Sequence, residues 1–220
     1  MNDPLKYCLY EIGCEEEGVN LRQTENDPVV SPFAAAYASG KIYISAAKEM
    51  FSYAENLAPK GEELFSKESL GALAELCRKW GDKYGFKLTE LPSVINCYEI
   101  KREKYTPLYA ERLSGDEEDM LFSDLPYLVS IGMVYGVKAG GKVVSLCGAA
   151  DRISVAEAHI ETAPPYRKKG FAKDSLKALA SSLKKPLLYR CREENTASNH
   201  TALSSGGRLL CRTVIFFLRK

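Results

Sequence analysis

The chain has 220 residues, of which 45% are hydrophobic and 27% charged, and its 30 basic and 29 acidic side chains leave a formal net charge of +1. This composition is that of a folded globular protein and excludes both a disordered chain and a coiled-coil rod. Without an overall basic charge, neither nucleic acid nor an anionic membrane is expected as a partner, so any anion site must be local.

The sequence also limits the cellular location and the metal chemistry. No stretch is apolar over the roughly 18 residues that a membrane-spanning helix needs, and the first residues lack the plan of a signal peptide, which predicts a cytoplasmic protein. There are seven cysteines, none in a C-x-x-C spacing, and only two histidines. We interpret the cysteines as reduced core thiols rather than metal ligands or disulfides, and we expect no metal.

The first half of the chain predicts a mixture of strands and one clear helix. Residues 29–33 and 41–45 have the pattern of strands joined by a turn at Gly40, and residues 94–100 predict a further strand. A helix is predicted to start after Ser66 and to end before Gly85, because these residues suit its two caps. Its apolar stripe, which we assign to the core, consists of Leu70, Leu73, Leu76, Cys77, Trp80 and Tyr84.

An acidic run at residues 115–119 interrupts the apolar pattern. We interpret it as an exposed loop close to a domain boundary. The predicted division is an N-terminal α/β region over residues 1–124 and a second domain over residues 125–220.

The second half predicts a regular alternation of strands and helices. A hairpin turning at Gly140 and Gly141 is followed by a strand, a helix, a strand, a helix and a last strand. The strands are predicted over residues 131–137, 143–149, 155–162, 187–191 and 209–218, and the helices over residues 172–183 and 197–205. A helix crossing between strands indicates an α/β layer.

The most informative stretch runs from Arg167 to Ala172, between a predicted strand and a predicted helix. The first turn of a helix has N–H groups without intrahelical partners and carries the positive end of the helix dipole, so it can hold a phosphate. Gly170 lets the backbone approach the anion, and the three cations at residues 167–169 add positive charge. The alternative is a solvated, lysine-rich start of a helix. Nucleotide-triphosphate and dinucleotide glycine patterns are both absent from the sequence.

Residues 157–172, EAHIETAPPYRKKGFA, resemble the strand-loop-helix signature of the GCN5-related N-acetyltransferase (GNAT) superfamily, particularly its FR47-like branch. The later segment ENTAS at residues 194–198, followed by Ala202 and Gly206, resembles the superfamily's N-x-x-S-x-x-x-A-x-x-x-G pattern. The resemblance covers roughly residues 130–220. It implies an α/β fold with a mixed, mostly antiparallel twisted sheet flanked by helices. The N-terminal half would be an additional α/β region, itself GNAT-like or shaping the substrate pocket.

The resemblance implies acetyl-CoA as the co-substrate. The main chain of Ile160, Glu161 and Thr162 would bind the pantetheine arm as a false strand partner. The pyrophosphate would be held by Arg167, Lys168, Lys169, Gly170, Phe171 and Ala172. By similarity, Asn195 would contact the pantetheine and Ser198 the phosphate end of the cofactor, the alternative being a turn residue or a helix cap.

The implied reaction is attack of a neutral amine on the thioester, which requires a base. Glu157 is the first candidate, and His159 is the second because it has the same strand parity; the alternative for both is an ordinary exposed strand residue. Many members of the superfamily have a tyrosine as general acid where this chain has Ala202, so the general acid is unassigned. A glycine at position 207, where relatives have phenylalanine, predicts looser packing at that end.

These observations favour an acetyl-CoA-dependent N-acetyltransferase acting on a small-molecule or peptide amine. The alternative is a non-catalytic CoA-binding or interaction module that has lost its proton-transfer residues. An accidental resemblance in an unrelated α/β protein would predict no binding of CoA. Both a monomer and a homodimer are compatible with the sequence.

Overall fold

The computed structural model of the chain describes residues 3–14, 16–21, 29–114, 117 and 133–220. Across these residues the α-helices are α1 (Pro4–Glu11), α2 (Phe51–Leu57), α3 (Lys67–Tyr84), α4 (Phe171–Ser182) and α5 (Thr196–Ser204). The strands are β1 (Gly18–Leu21), β2 (Val29–Ala38), β3 (Lys41–Ala46), β4 (Lys87–Leu88), β5 (Ile95–Ile100), β6 (Glu111–Arg112), β7 (Val134–Ala139), β8 (Lys142–Asp151), β9 (Ala156–Thr162), β10 (Leu187–Arg192) and β11 (Gly207–Arg219). This mixture, in which antiparallel pairs outnumber parallel ones, confirms the predicted fold class.

The chain forms two compact units. One contains Tyr98–Leu209, and the other contains Leu5–Cys97 together with Leu210–Lys220. The predicted boundary at residues 124 and 125 lies outside the described residues, as does most of the acidic run, and it stays a prediction. The two compact units are divided inside β5 and β11, and residues 98–114 group with the second half of the chain.

In the unit that contains residues 5–97, the strands lie in the order β1, β3, β2, β11, with β4 also paired to β11. The alternation of side chains along β2 separates two faces. Phe33 faces a core formed with α3, whereas Ala34 and Ala36 pack against Leu9 of α1 and Ile12 just after it. The helices therefore cover both faces of these strands.

The predicted caps of α3 are confirmed. The Oγ of Ser66 accepts a hydrogen bond from the Ser69 N–H at 3.2 Å, and Gly85 ends the helix with a φ of 77°. Leu73, Cys77 and Trp80 of the predicted stripe are buried, and the exposed fraction rises to 40% at Tyr84. The stripe therefore belongs to the core, as its spacing indicates.

In the unit that contains residues 98–209, β6, β7, β8 and β9 pair antiparallel in chain order, and β10 pairs parallel with β9. The predicted turn at Gly140 and Gly141 joins β7 to β8, and both glycines have the positive φ that such a two-residue turn needs. The helix α4 joins β9 to β10 and packs on one face of them through Leu176 and Leu179. This crossover brings the start of α4 to the end of β9.

All seven cysteines are buried, and none forms a disulfide. Among the helices of the described residues, none has both the length and the apolar character needed to cross a membrane.

Candidate functional site

The strands β9 and β10 pair over only part of their length. Their backbone register runs from Leu187 opposite Ala156 to Tyr189 opposite Ala158, whereas β9 continues to Thr162 and β10 to Arg192. On its other side β9 pairs with β8 over its whole length. Among the described residues, no strand pairs with the β10-facing edge of β9 from residue 159 onward, and we call this edge open.

The direction of two backbone hydrogen bonds shows which residues of β9 face this opening. The Ala156 N–H donates to the carbonyl of Pro186 on the β10 side, and the Ala163 N–H donates to Val144 on β8, both at 2.9 Å. Because successive residues of a strand direct their N–H and C=O groups to opposite neighbours, even-numbered residues face β10 and odd-numbered ones face β8. Ile160 and Thr162 thus direct their backbone groups into the opening.

The three predicted pantetheine-binding residues are accordingly placed differently. Ile160 and Thr162 face the opening, but Glu161 is opposite Leu146 and directs its backbone toward β8. The Thr162 carbonyl already accepts a hydrogen bond from the Arg167 Nε at 3.0 Å. Three other backbone groups point into the opening: the N–H and the carbonyl of Ile160, and the N–H of Thr162.

The loop after β9 leads directly into an uncapped helix. A 3-10 turn, Pro164–Tyr166, is followed by Lys168 with a φ of 61° and by Gly170, the N-cap of α4, with a φ of 84°. Within the part of the chain that the structure describes, no side chain caps the helix, whose first bond runs from the Asp174 N–H to the Gly170 carbonyl at 3.0 Å. The amides of the first turn have no acceptor within the helix. A non-glycine residue with positive φ is uncommon, and it is often found where the backbone shapes a ligand site.

The side chains around this loop supply positive charge and little competing acid. Arg167, Lys168 and Lys169 are exposed, while Phe171 and Ala172 are half-buried. The Lys169 ammonium lies 5.1 Å from the centre of the Tyr166 ring. The acidic residue in the first turn, Asp174, is buried and fully engaged with other groups. This arrangement can accept a phosphate or pyrophosphate.

Asp174 was not singled out by the sequence, and it anchors a separate segment beside α4. Its Oδ1 accepts from the Tyr105 hydroxyl at 2.6 Å and the Leu108 N–H at 3.0 Å. Its Oδ2 accepts from the N–H groups of Tyr109 at 2.8 Å and Ala110 at 2.7 Å. Burial acts to raise the pKa of Asp174, but these four hydrogen bonds outweigh it and lower the pKa. The same contact raises the pKa of Tyr105 to about 12.

The anchored segment lies against the first turn of α4. The Tyr109 ring contacts the Phe171 ring edge to face, with 5.3 Å between the centroids. The Lys177 ammonium lies 4.4 Å from the centre of the Tyr105 ring. Residues 105–110 therefore form one wall beside the loop, although they come from the half of the sequence that showed no family motif.

Glu157, the first candidate base, is held between two arginines. Arg152 Nε lies 3.2 Å from its Oε2, and Arg190 approaches its Oε1 to 2.6 Å. Its side chain is 20% exposed. These two ion pairs link Glu157 on β9 to Arg190 on β10 and to Arg152 in the turn before β9. His159 lies two residues along the same face of β9 and is exposed.

The two residues of the downstream motif are placed at the start of α5. Asn195 is its N-cap, with Oδ1 accepting from the Ser198 N–H at 3.1 Å. Ser198 also hydrogen-bonds Tyr189, whose pKa is raised by burial while this contact acts in the opposite sense. The neighbouring Asn199 accepts from the Tyr98 hydroxyl at 2.7 Å and donates to three carbonyls of residues 192–195. In the structure Asn195 therefore acts as a helix cap, which is the alternative role that the sequence left open.

Gly207 is closely packed, in contrast to the loose packing that its sequence predicts. A Cβ at this position would lie 2.6 Å from the carbonyl oxygen of Ala202 and 3.0 Å from the Ile100 side chain. Ala202 itself is fully buried. The space that an aromatic residue would fill is therefore taken by backbone and by Ile100.

No family model and no curated protein matches this chain. Solved structures to which the chain is similar include a GNAT-family protein from Novosphingobium aromaticivorans DSM 12444, with 16% identity, a TM-score of 0.48 and coverage of 62% of this chain and 68% of that one. A GNAT-family acetyltransferase from Colwellia psychrerythraea has 14% identity and a TM-score of 0.45, over 58% of this chain and 56% of that one. A GCN5-related N-acetyltransferase from Sphaerobacter thermophilus has 12% identity and a TM-score of 0.45, over 85% and 76%. All three are described as GNAT or GCN5-related proteins, and each is similar to this chain with a TM-score below 0.5.

Proposed function

We propose that the protein is an acetyl-CoA-dependent N-acetyltransferase that binds its co-substrate along the open edge of β9 and over the first turn of α4. The observation that carries the proposal is the continuity of two features within residues 160–172. The open edge of β9, whose Ile160 backbone groups pair with no described strand, leads into a basic loop and then into the start of α4, which no described side chain caps. A ligand with an amide-containing arm joined to a pyrophosphate matches both features in that order.

The proposed reaction joins an amine nitrogen to the acetyl carbonyl carbon. The neutral amine attacks that carbon, the tetrahedral intermediate collapses, the carbon–sulfur bond breaks, and the amine proton passes to a base. The leaving thiol has an ordinary pKa of about 8.5, so the thiolate can leave and take its proton from solvent. Holding both reactants in one site supplies much of the acceleration.

We propose His159 rather than Glu157 as the proton acceptor. The exposed imidazole of His159 can be reached by an amine, and imidazole is the side chain that most often accepts a proton in general base catalysis, whereas Glu157 is held by Arg152 and Arg190. The ion pairs of Glu157 would keep β9, β10 and the turn before β9 in register. On this proposal, His159→Gln lowers turnover by at least tenfold with little change in acetyl-CoA binding. Glu157→Gln acts mainly on stability, and if it alone abolished turnover the assignment would be reversed.

Binding is tested by thermal melting with and without acetyl-CoA, because a ligand of the folded state raises the midpoint. The test variant is Gly170→Asp, since Asp tolerates positive φ and places a negative charge where the pyrophosphate would lie. The control is Gly141→Asp, which makes the same change at a hairpin turn with a φ of 80°. At an acetyl-CoA concentration of a hundred times Kd, we expect the ligand to stabilise the wild type and Gly141→Asp by about 2.7 kcal/mol. It should stabilise Gly170→Asp much less. Equal stabilisation of both variants would place the ligand elsewhere.

The second candidate function is a non-catalytic CoA-binding or interaction module. The ion pairs of Glu157 and the buried Ala202 at the position of the usual acid favour it. Release of the CoA thiol, measured with small amines and with peptide N-termini as acceptors, separates the two functions. Binding without turnover for any acceptor would support the module. The class of acceptor and the cytoplasmic location remain predictions.

A further inference from the structure

Three buried cysteines that are far apart in the sequence meet in the unit that contains residues 5–97 and 210–220. Cys8 lies on α1, Cys97 on β5 and Cys211 on β11. Their exposed fractions are 2%, 1% and 1%, and their Sγ atoms all lie within 4.8 Å of one another. This is the one group of metal-binding side chains found among the described residues.

The spacing of the sulfur atoms is close to that of a three-coordinate metal. The centre of a triangle with sides of at most 4.8 Å lies at most about 2.8 Å from each corner. Metal–thiolate bonds are about 2.3 Å long, so each sulfur needs to move inward by about half an ångström or less. A change of side-chain torsion supplies a movement of that size without a change of fold.

The set of ligands distinguishes between metals. The group contains three thiols and no histidine or carboxylate, and its burial excludes solvent. The Thr213 hydroxyl lies 3.9 Å from the Cys97 Sγ, at contact distance, beside the group. Zinc is almost always bound by four ligands, whereas soft thiolates alone suit monovalent copper. We propose that Cys8, Cys97 and Cys211 form a trigonal site for one Cu⁺ ion.

A metal ion bound by these three cysteines would link α1 to β5 and β11. The helix α1 has eight residues, fewer than an isolated helix needs for stability, and it packs on the strands through Leu9, together with Ile12 just after the helix. Each thiol that becomes a thiolate ligand releases one proton when Cu⁺ binds. Because ligation is available only in the folded unit, bound copper is expected to stabilise that unit. The site does not depend on the proposed acetyl transfer.

The test is a titration of the reduced, purified full chain with Cu⁺ under anaerobic conditions, in competition with a chelator of known affinity. The variant is Cys8→Ser, and the matched control is Cys77→Ser, which alters a fully buried thiol of α3 outside the group. We expect one Cu⁺ per chain in the wild type and in Cys77→Ser, a melting midpoint raised by the ion, and loss of the bound ion in Cys8→Ser.

X-ray absorption of the copper-loaded wild type decides the coordination without relying on any variant to fold. Three sulfur neighbours at about 2.3 Å support the site. Absence of binding, retention of the ion by a folded Cys8→Ser, or coordination by nitrogen or oxygen would overturn it. A preference for Zn²⁺ over Cu⁺, or a disulfide between two of the three cysteines in the protein purified under reducing conditions, would also overturn it.

Discussion

Substitution of Asp174 by asparagine removes the negative charge that holds residues 105–110 beside α4. The carboxylate has two acceptor oxygens, each of which receives two hydrogen bonds. An amide has one acceptor oxygen, so it can keep only one of these two pairs. If that oxygen replaces Oδ2, the bonds from Tyr109 and Ala110 remain, the Tyr105 hydroxyl can turn to accept from the amide, and the Leu108 N–H loses its partner.

The expected cost follows from the change in these bonds. A hydrogen bond to a charged group contributes roughly 1.5–3 kcal/mol, and one between neutral groups roughly 0.5–1.5 kcal/mol. One charged bond is lost and three are converted to neutral ones, of which the Ala110 contact is buried and the others are part-buried, while the neutral amide costs less to bury than the carboxylate and so offsets part of this loss. We expect Asp174→Asn to lower the free energy of unfolding by about 2–4 kcal/mol, and the melting midpoint by roughly 5–15 °C in a chain of this size.

The assay is denaturant unfolding at pH 7, with Asp151→Asn as the control. Asp151 is a partner of Lys185, and its side chain is 68% exposed, so its loss is expected to cost less than about 0.5 kcal/mol. Hydrogen exchange should also accelerate at the amides of residues 108–110 in Asp174→Asn. If the two variants unfold within about 0.5 kcal/mol of each other, the reasoning from the hydrogen bonds is refuted.

The pH dependence gives a second measure of the same group. Because the pKa of Asp174 is lower in the folded protein than its ordinary value near 4, its stabilisation is present above that value. It is lost as the pH falls through the lowered pKa. The difference between wild type and Asp174→Asn should therefore shrink below about pH 4. A constant difference down to pH 3 would contradict this.

Three further substitutions test the packing, the loop and a helix cap. Gly207→Ala should lower the free energy of unfolding by about 1–3 kcal/mol, because the added Cβ meets a backbone oxygen at 2.6 Å. Gly71→Ala places its Cβ in open space on α3 and should raise the free energy of unfolding by about 0.5–1 kcal/mol. Equal effects of the two substitutions in denaturant unfolding would contradict the close packing of Gly207. Lys168→Gly removes the backbone strain of a lysine with a φ of 61°, so it should raise the free energy of unfolding by about 1 kcal/mol while weakening acetyl-CoA binding. An unchanged affinity in calorimetry would show that this lysine is not part of the site. Ser66→Ala removes the N-cap hydrogen bond of α3 and should lower the free energy of unfolding by about 1 kcal/mol. An unchanged free energy of unfolding would mean that another group caps the helix in the variant.

The elements that the sequence predicted well are those set by neighbouring residues. Ser66 and Gly85 bound α3, and the turn at Gly140 and Gly141 joins β7 to β8, because a cap or a turn depends on a few adjacent side chains and their φ values. The loop entering α4 at Gly170 was predicted for the same reason. By contrast, α1 was not predicted, since it is short and is stabilised by packing on distant strands.

The residues whose surroundings could not be predicted from the sequence are those whose partners are remote in the chain. Nothing near Glu157 in the sequence shows that Arg190 will pair with it from the parallel strand, and the assignment of Glu157 as a base stays a prediction. Nothing near Gly207 shows that its neighbours are Ala202 and Ile100 in close contact.

By itself the sequence determined the α/β class, most strands of the second half, and the basic loop whose geometry suits an anion, because each rests on local periodicity, turns and helix caps. The tertiary structure decided that β9 opens away from β10 after Ala158, that Asp174 holds residues 105–110 beside the loop, and that Cys8, Cys97 and Cys211 meet. These features require segments tens of residues apart to come together. Pairing of that kind is fixed by the packing of the whole unit, and it leaves no periodic mark in the sequence.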